Sequence, residues 1–225
     1  MFEDVRLFYS EFRHNFGTTG AIAPSSPLLG KAMTRPLSQR TVSPIRVLEV
    51  GAGTGAFTGQ ILKYLAAGDL LDIYELNPRF YAFLQHRLPL TGFAARGIQC
   101  RLHNADVREM ERKLEYDYII CGLPFNNFEP ETVSEIFEAL IGCLSPSGVF
   151  SYFEYIFSHE FKAKFLKPSD RERMMRVGFT VRSFIQRHQY GSHQVWLNFP
   201  PAKARYCRRL PVSSALFRQQ GRPPQ

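Results

Sequence analysis

Between residues 46 and 67 the chain joins three patterns that together leave few folds open to it. Arg46-Val47-Leu48-Glu49-Val50 is a short apolar run interrupted by one acid, Gly51-Ala52-Gly53-Thr54-Gly55 places glycine at every second position, and 56–67 reads as a helix. Glycine adopts left-handed dihedrals that other residues avoid, so this stretch can bend sharply and leave bare backbone where a ligand approaches. A strand that turns through bare backbone into a helix is the opening of a βαβ unit, whose strand needs a parallel neighbour.

The following residues supply the neighbours. Apolar runs at 70–76, 98–103, 116–122 and 149–155 read as strands, and the stretches 78–88 and 131–144 between them read as helices. Such alternation predicts a doubly wound α/β domain with helices on both faces of a parallel sheet. Residues 179–188 and 193–198 read as two more strands joined through Tyr190-Gly191-Ser192, an antiparallel hairpin that would bring the sheet to seven strands. At 225 residues the chain fits one well-cored domain better than two.

An N-terminal helical extension is expected ahead of the sheet. Phe2, Val5, Tyr9, Phe12 and Phe16 recur at three- and four-residue steps, an amphipathic helix with an aromatic face that Gly17 is placed to end. A small-residue loop follows, and Ser25 or Ser26 is placed to cap a second helix over 27–33 with Pro27 near its first turn. The expected layout is therefore 1–44 for helices and loop, 45–210 for the domain, and 211–225 for a disordered tail.

Composition narrows the function. No run approaches the roughly 20 apolar residues a bilayer span requires, and Met1-Phe2-Glu3-Asp4 lacks the basic head of a secretory signal. Both predict an intracellular protein. The cysteines, Cys100, Cys121, Cys143 and Cys207, lie too far apart for a zinc or redox motif, so reduced thiols and no metal are expected. Residues 1–161 carry 14 Lys and Arg against 18 Asp and Glu, whereas 162–225 carry 14 against two. A segment so lopsided points to a polyanion, nucleic acid or an anionic membrane surface.

Two further acids follow the glycines in order. Glu75 ends the second strand 22 residues after Gly53, and Asp106 follows the third strand. The pattern E-x-G-x-G-x-G over Glu49 to Gly55 resembles motif I of class I S-adenosylmethionine-dependent methyltransferases, whose fold is a Rossmann-like seven-stranded sheet with its last strand antiparallel. The resemblance implies S-adenosylmethionine as cofactor and S-adenosylhomocysteine as product. Glu49 would help orient the ammonium above Gly51, Gly53 and Gly55, Glu75 would take the ribose hydroxyls and Asp106 the adenine amine, with Leu76, Ala105, Gly122 and Leu123 also at the cofactor.

Gly122-Leu123-Pro124-Phe125 closes the fourth strand where amino-methylating members carry N-P-P-Y or N-L-P-Y. The asparagine that would accept from a nucleobase amine is glycine here. Thr19-Gly20-Ala21-Ile22-Ala23-Pro24-Ser25-Ser26 resembles the N-terminal motif of bacterial phospholipid N-methyltransferases, close to the ornithine-lipid N-methyltransferases, and Asn198-Phe199-Pro200-Pro201-Ala202 resembles their late N-x-P-P-A segment. This likeness implies methyl transfer to the primary amine of a membrane lipid headgroup. Gly20, Ala21 and Ile22 would then cover the cofactor, and Pro124 and Phe125 would shape the amine pocket. The implied place is cytoplasmic, peripheral to the inner face of the cell membrane, with the first helix in the headgroup layer. Lys203, Arg205, Arg208 and Arg209 would each add on the order of 1 kcal/mol near anionic lipid. Glu154, Tyr155 and His159, at the C-terminal end of the fifth strand, are the candidates for a general base. The alternative reading is an RNA adenine N6-methyltransferase, which the basic C-terminal third also suits; the lipid reading expects no nucleic-acid partner.

Overall fold

The computed structural model describes residues 26–111, 115–156 and 168–209, with backbone alone for 168–170. Its helices and strands run α1 (Pro27–Met33), α2 (Arg35–Ser38), β1 (Arg46–Val50), α3 (Ala56–Tyr64), β2 (Leu70–Tyr74), α4 (Pro78–Arg87), β3 (Gln99–His103), β4 (Tyr116–Cys121), α5 (Pro130–Gly142), β5 (Leu144–Tyr155), α6 (Pro168–His188), β6 (Gln189–Val195) and β7 (Ala202–Cys207). The sheet has seven strands in the order β3-β2-β1-β4-β5-β7-β6. Five strands are parallel, and β7 runs antiparallel to both of its neighbours.

Each face of the sheet buries its own apolar layer. Leu29, Met33 and Leu37 from α1 and α2 join Phe57 and Ile61 of α3 and Leu84 of α4 on one side. Val133, Phe137 and Leu140 of α5 join Val181 and Phe184 of α6 on the other, where Phe137 and Phe184 stack with centroids 4.0 Å apart. Residues 26–44 thus share the core of the sheet. Ser26 caps α1 as its spacing predicted, accepting from the Leu29 amide at 3.2 Å. Tyr206 of β7 donates to the Ala32 carbonyl at 2.8 Å and ties α1 to the antiparallel end of the sheet. Buried Asp72 of β2 accepts two hydrogen bonds from Arg101 of β3 and one from the Tyr116 hydroxyl of β4, bracing β2 against strands on either side of β1.

Two expectations are corrected. Residues 179–188, read as a strand, form the last turns of α6, a helix of 21 residues. Val177, Val181 and Phe184 are buried at helical spacing, and packing against α5 decides what short-range alternation left open. The hairpin exists but is displaced. Tyr190, Gly191 and Ser192 lie inside β6 rather than in its turn, and the reversal occurs at 196–201 before β7. The aromatic first helix, the loop with Gly20, Ala21 and Ile22, His159 and the tail from 211 lie outside the described residues.

Candidate functional site

Strand order reverses between β1 and β4, and in open α/β sheets the crevice at the C-terminal tips of such strands is where ligands bind. The loop from β1 to α3 occupies that crevice. Gly51, Gly53 and Gly55 have φ values of 70°, 57° and 82°, so the alternate glycines meet a left-handed requirement at each position. The Gly51 amide donates to the Tyr74 carbonyl at 2.8 Å, the Gly53 amide to Glu75 Oε2 at 2.8 Å, and the Gly55 amide to the Ala52 carbonyl at 2.9 Å.

Below this loop Glu49 is fully buried, and neither carboxylate oxygen has a hydrogen-bond partner. Burial pushes its pKa up to about 8, with a smaller upward push from Glu75. Long hydrogen-bonding contacts from the Thr58 hydroxyl and backbone amide offset part of this rise, although neither has ordinary hydrogen-bond geometry. An unmatched buried carboxylate is costly, and a cationic ligand over the loop would relieve it. Glu75 is also buried, and desolvation raises its pKa against the amides of Gly53 and Asn77. Those two amides use one lone pair on each Glu75 oxygen, which leaves acceptor capacity for hydroxyls.

The crevice continues as a mostly apolar slot whose lining includes Gly51, Leu76, Ala105, Asp106, Leu123 and Ile136. Five expected residues therefore meet around one space. Gly122 does not line it. A Cβ at 122 would stand 2.7 Å from the Gly51 carbonyl oxygen and 3.3 Å from the Phe57 ring. Any side chain here would force the Gly51 carbonyl or its neighbours to shift, a steric reason for glycine in place of the asparagine.

Asp106 lines the slot and is also engaged by Arg108. Its carboxylate accepts from the Arg108 amide at 2.9 Å and from the Arg108 guanidinium at 2.8 to 3.2 Å. Most of its lone pairs are thereby taken. Arg108, which also lines the slot and pairs with Glu135, was not singled out in the sequence. Its one signal is the i, i+2 spacing to the acid.

A second, larger cavity of about 750 Å³ opens beside the tip of β5. Asn126, Glu154 and Tyr155 face it from the sheet side, Met175, Phe179 and Arg182 from α6, and Lys203 and Arg205 from β7. Glu154 Oε2 accepts from Arg205 Nε at 2.7 Å and its other oxygen from the Tyr152 hydroxyl at 3.4 Å. Burial raises the Tyr155 phenol to about 12, so it stays protonated at neutral pH. Phe125, expected at the amine pocket, turns into the core instead, with its ring 4.6 Å from Phe137 and 5.6 Å from Tyr152. Pro124 borders neither space; Asn126, two residues on, reaches the cavity.

The basic segment is also rearranged. Arg205 is held by Glu154 and Gln189, Arg208 lies 4.1 Å over the Tyr190 ring, and Arg209 approaches Glu115 at 3.9 Å. These contacts tie the three side chains to neighbouring parts of the chain, whereas the resemblance implied that they face anionic lipid. Among the described residues no group of three or more His, Cys, Asp or Glu is placed to hold a metal. No described helix is long and apolar enough to cross a membrane.

Residues 47–148 match the family described as methyltransferase domain. Over 217 residues the chain is 26% identical to the ornithine lipid N-methyltransferase of Singulisphaera acidiphila, spanning 94% of this chain and 99% of that one. Among solved structures, magnesium protoporphyrin IX methyltransferase from Synechocystis, with bound S-adenosylhomocysteine, superposes with a TM-score of 0.60 at 12% identity, covering 90% of this chain and 100% of that chain. The N-methyltransferase NodS from Bradyrhizobium japonicum, in complex with S-adenosylhomocysteine, gives a TM-score of 0.57 at 14% identity over 82% of this chain and 88% of that chain. The match covers residues 47–148, the first four strands of a sheet with this order, and identifies that stretch as a methyltransferase domain of the S-adenosylmethionine-dependent kind.

Proposed function

We propose that the chain transfers methyl groups to the primary amine of a membrane lipid headgroup, ornithine lipid or phosphatidylethanolamine. The observation that carries this reading is the end-to-end similarity to an ornithine lipid N-methyltransferase, which extends well beyond the methyltransferase domain matched at residues 47–148. Gly122 supports it. With the Gly51 carbonyl 2.7 Å from where a Cβ would be, the tip of β4 has no room for the asparagine that would hold a nucleobase edge. That disfavours the RNA adenine alternative.

S-adenosylmethionine supplies an electrophilic methyl on a sulfonium centre. The chain's contribution is positioning. Glu49 would face the cofactor's ammonium, Glu75 would accept from the ribose hydroxyls, and Leu76, Ala105 and Leu123 would enclose the adenine. Gly20, Ala21 and Ile22 would cover it from residues 1–44, which on this reading also touch the membrane, while 45–210 form the catalytic domain. The acceptor amine would enter from the larger cavity. An ammonium resembling lysine, with a pKa of about 10.4, costs roughly 4–5 kcal/mol to deprotonate at pH 7, and desolvation in the cavity lowers that cost. Glu154, whose side chain is paired with Arg205, and Tyr155, kept as a phenol by burial, would orient the amine. The protein would work in the cytoplasm against the inner face of the membrane.

The test is incubation with radiolabelled cofactor beside total bacterial lipid and total RNA. Label in the aminolipid fraction is expected. Label confined to RNA overturns the reading.

A further inference from the structure

The β6–β7 turn is built inside out. Asn198 is only 5% exposed, while Leu197 and Phe199 on either side are both 86% exposed and Trp196 is 58% exposed. The Asn198 side chain donates to the Pro200 carbonyl at 2.6 Å, and its amide reaches the Val195 carbonyl at 3.4 Å. A turn normally gives its amide side chain to water and its large apolar groups to the core. Here the polar residue is spent holding the turn, and three apolar side chains are presented to the outside. Val42 and Leu90, exposed elsewhere, are scattered single residues of the ordinary kind.

The turn is also in a telling place. Ala202 pairs with Tyr155, and the Ile156 amide donates to the Pro201 carbonyl at 2.9 Å, so the turn projects at the C-terminal tip of β5. That is the rim where Glu154 and Tyr155 meet the 750 Å³ cavity. The same cavity is bordered by Phe179 and Met175, 73% and 70% exposed, and by the cations Arg182 and Lys203. Apolar and aromatic groups beside cations suit one partner above others. Tryptophan settles at the level of lipid headgroups, leucine and phenylalanine enter the acyl boundary, and lysine and arginine meet anionic phosphate.

We infer that residues 196–201 form a membrane-inserting tip that seats the chain on a bilayer containing anionic phospholipid and brings the cavity mouth to the headgroup layer. The inference rests on the lipid reading above. It adds a docking element outside the N-terminal helix and identifies which rim of the sheet meets the membrane.

Trp196 is the chain's sole tryptophan, so the unaltered protein carries its own probe. Vesicles of phosphatidylethanolamine and phosphatidylglycerol should shift its emission to the blue, and brominated acyl chains should quench it. The double variant Leu197→Asp with Phe199→Asp changes exposed positions. It should keep its calorimetric affinity for S-adenosylhomocysteine and its activity on detergent-dispersed aminolipid. Vesicle binding and activity on vesicle lipid should both fall at least about tenfold, the equivalent of 1.4 kcal/mol. An emission unchanged by vesicles that the protein binds overturns the inference. So does an emission already blue without lipid, since another copy or segment would then cover the tip. Equal loss on vesicles and on detergent-dispersed lipid, with cofactor affinity retained, also overturns it. These results leave the lipid function standing. A wild-type chain that methylates lipid in neither form sinks that function, and the inference with it.

Discussion

Glu75 at the tip of β2 accepts a hydrogen bond from the Gly53 amide at 2.8 Å, joining the second strand to the bend after the first. Its other oxygen accepts from the Asn77 amide at 2.8 Å, at the N-terminus of α4. One carboxylate therefore sets the cofactor loop and the following helix together. Glu75→Ala leaves both amides unmatched and should destabilise the fold by about 2–4 kcal/mol. Glu75→Gln keeps one acceptor oxygen and should cost less in stability, while still weakening S-adenosylhomocysteine binding. Thermal unfolding with and without the ligand separates the two effects. An alanine variant that melts with the wild type would remove this account of the loop.

Glu49 makes a prediction in pH. Its folded pKa, about 8, lies above the ordinary value of 4.5, so the folded state binds a proton that the unfolded state has released. Stability is complete below about pH 4.5 on this account and declines as pH rises toward 8, at no more than about 1.4 kcal/mol per pH unit. A cationic ligand favours the carboxylate, so cofactor binding should release about one proton near pH 6–7 and tighten as pH rises. Calorimetry in buffers of different ionisation enthalpy measures that proton. Glu49→Gln should abolish the release, weaken binding, and flatten the stability decline. Proton release persisting in that variant would assign it to another group.

Gly122→Asn tests whether sterics or selectivity set the glycine. The backbone carbonyl of Gly51, 2.7 Å from the new Cβ, cannot rotate away as a side chain would. Cofactor affinity should fall by at least about tenfold, with overpacking that costs about 1–3 kcal/mol. Methylation of an RNA adenine should not appear. A stable variant with unchanged affinity would show that the strand tip yields easily, and the steric account of the missing asparagine would fail.

The first five strands are legible in sequence because each is a short apolar run bounded by glycine, proline or acids, and the left-handed glycines after β1 can hardly be anything but a turn. The last third is less legible. Residues 177–188 hold apolar side chains at both two- and four-residue steps, and only the contact with Phe137 of α5 selects the helix. In β7, Lys203 and Arg205 alternate with buried Ala204 and Tyr206, a half-buried strand that reads locally as a basic tail. Within the site, the acids were placed by strand order alone. The Arg108 clamp on Asp106 and the Gly51 carbonyl behind Gly122 depend on chain segments meeting in space, which spacing does not encode.

The proton on the acceptor amine bears on the last prediction. Glu154, Tyr155 and His159 are the sequence's candidates for taking it; His159 lies outside the described residues, the Glu154 side chain is paired with Arg205 at 2.7 Å, and burial raises the Tyr155 phenol to about 12. A base must accept a proton near the working pH, and a phenol raised to about 12 is not poised to do so. If the amine instead loses its proton to solvent on entering the cavity, the rate should climb with pH along the amine's own titration. Tyr155→Phe should then lower kcat less than tenfold, by the loss of one orienting hydrogen bond of about 1 kcal/mol, and leave the pH profile unmoved. Glu154→Gln should reduce stability by about 1–3 kcal/mol through the loss of a charged hydrogen bond to Arg205, again without moving the profile. A pH limb that vanishes in either variant, with cofactor affinity intact, would identify that side chain as the base after all.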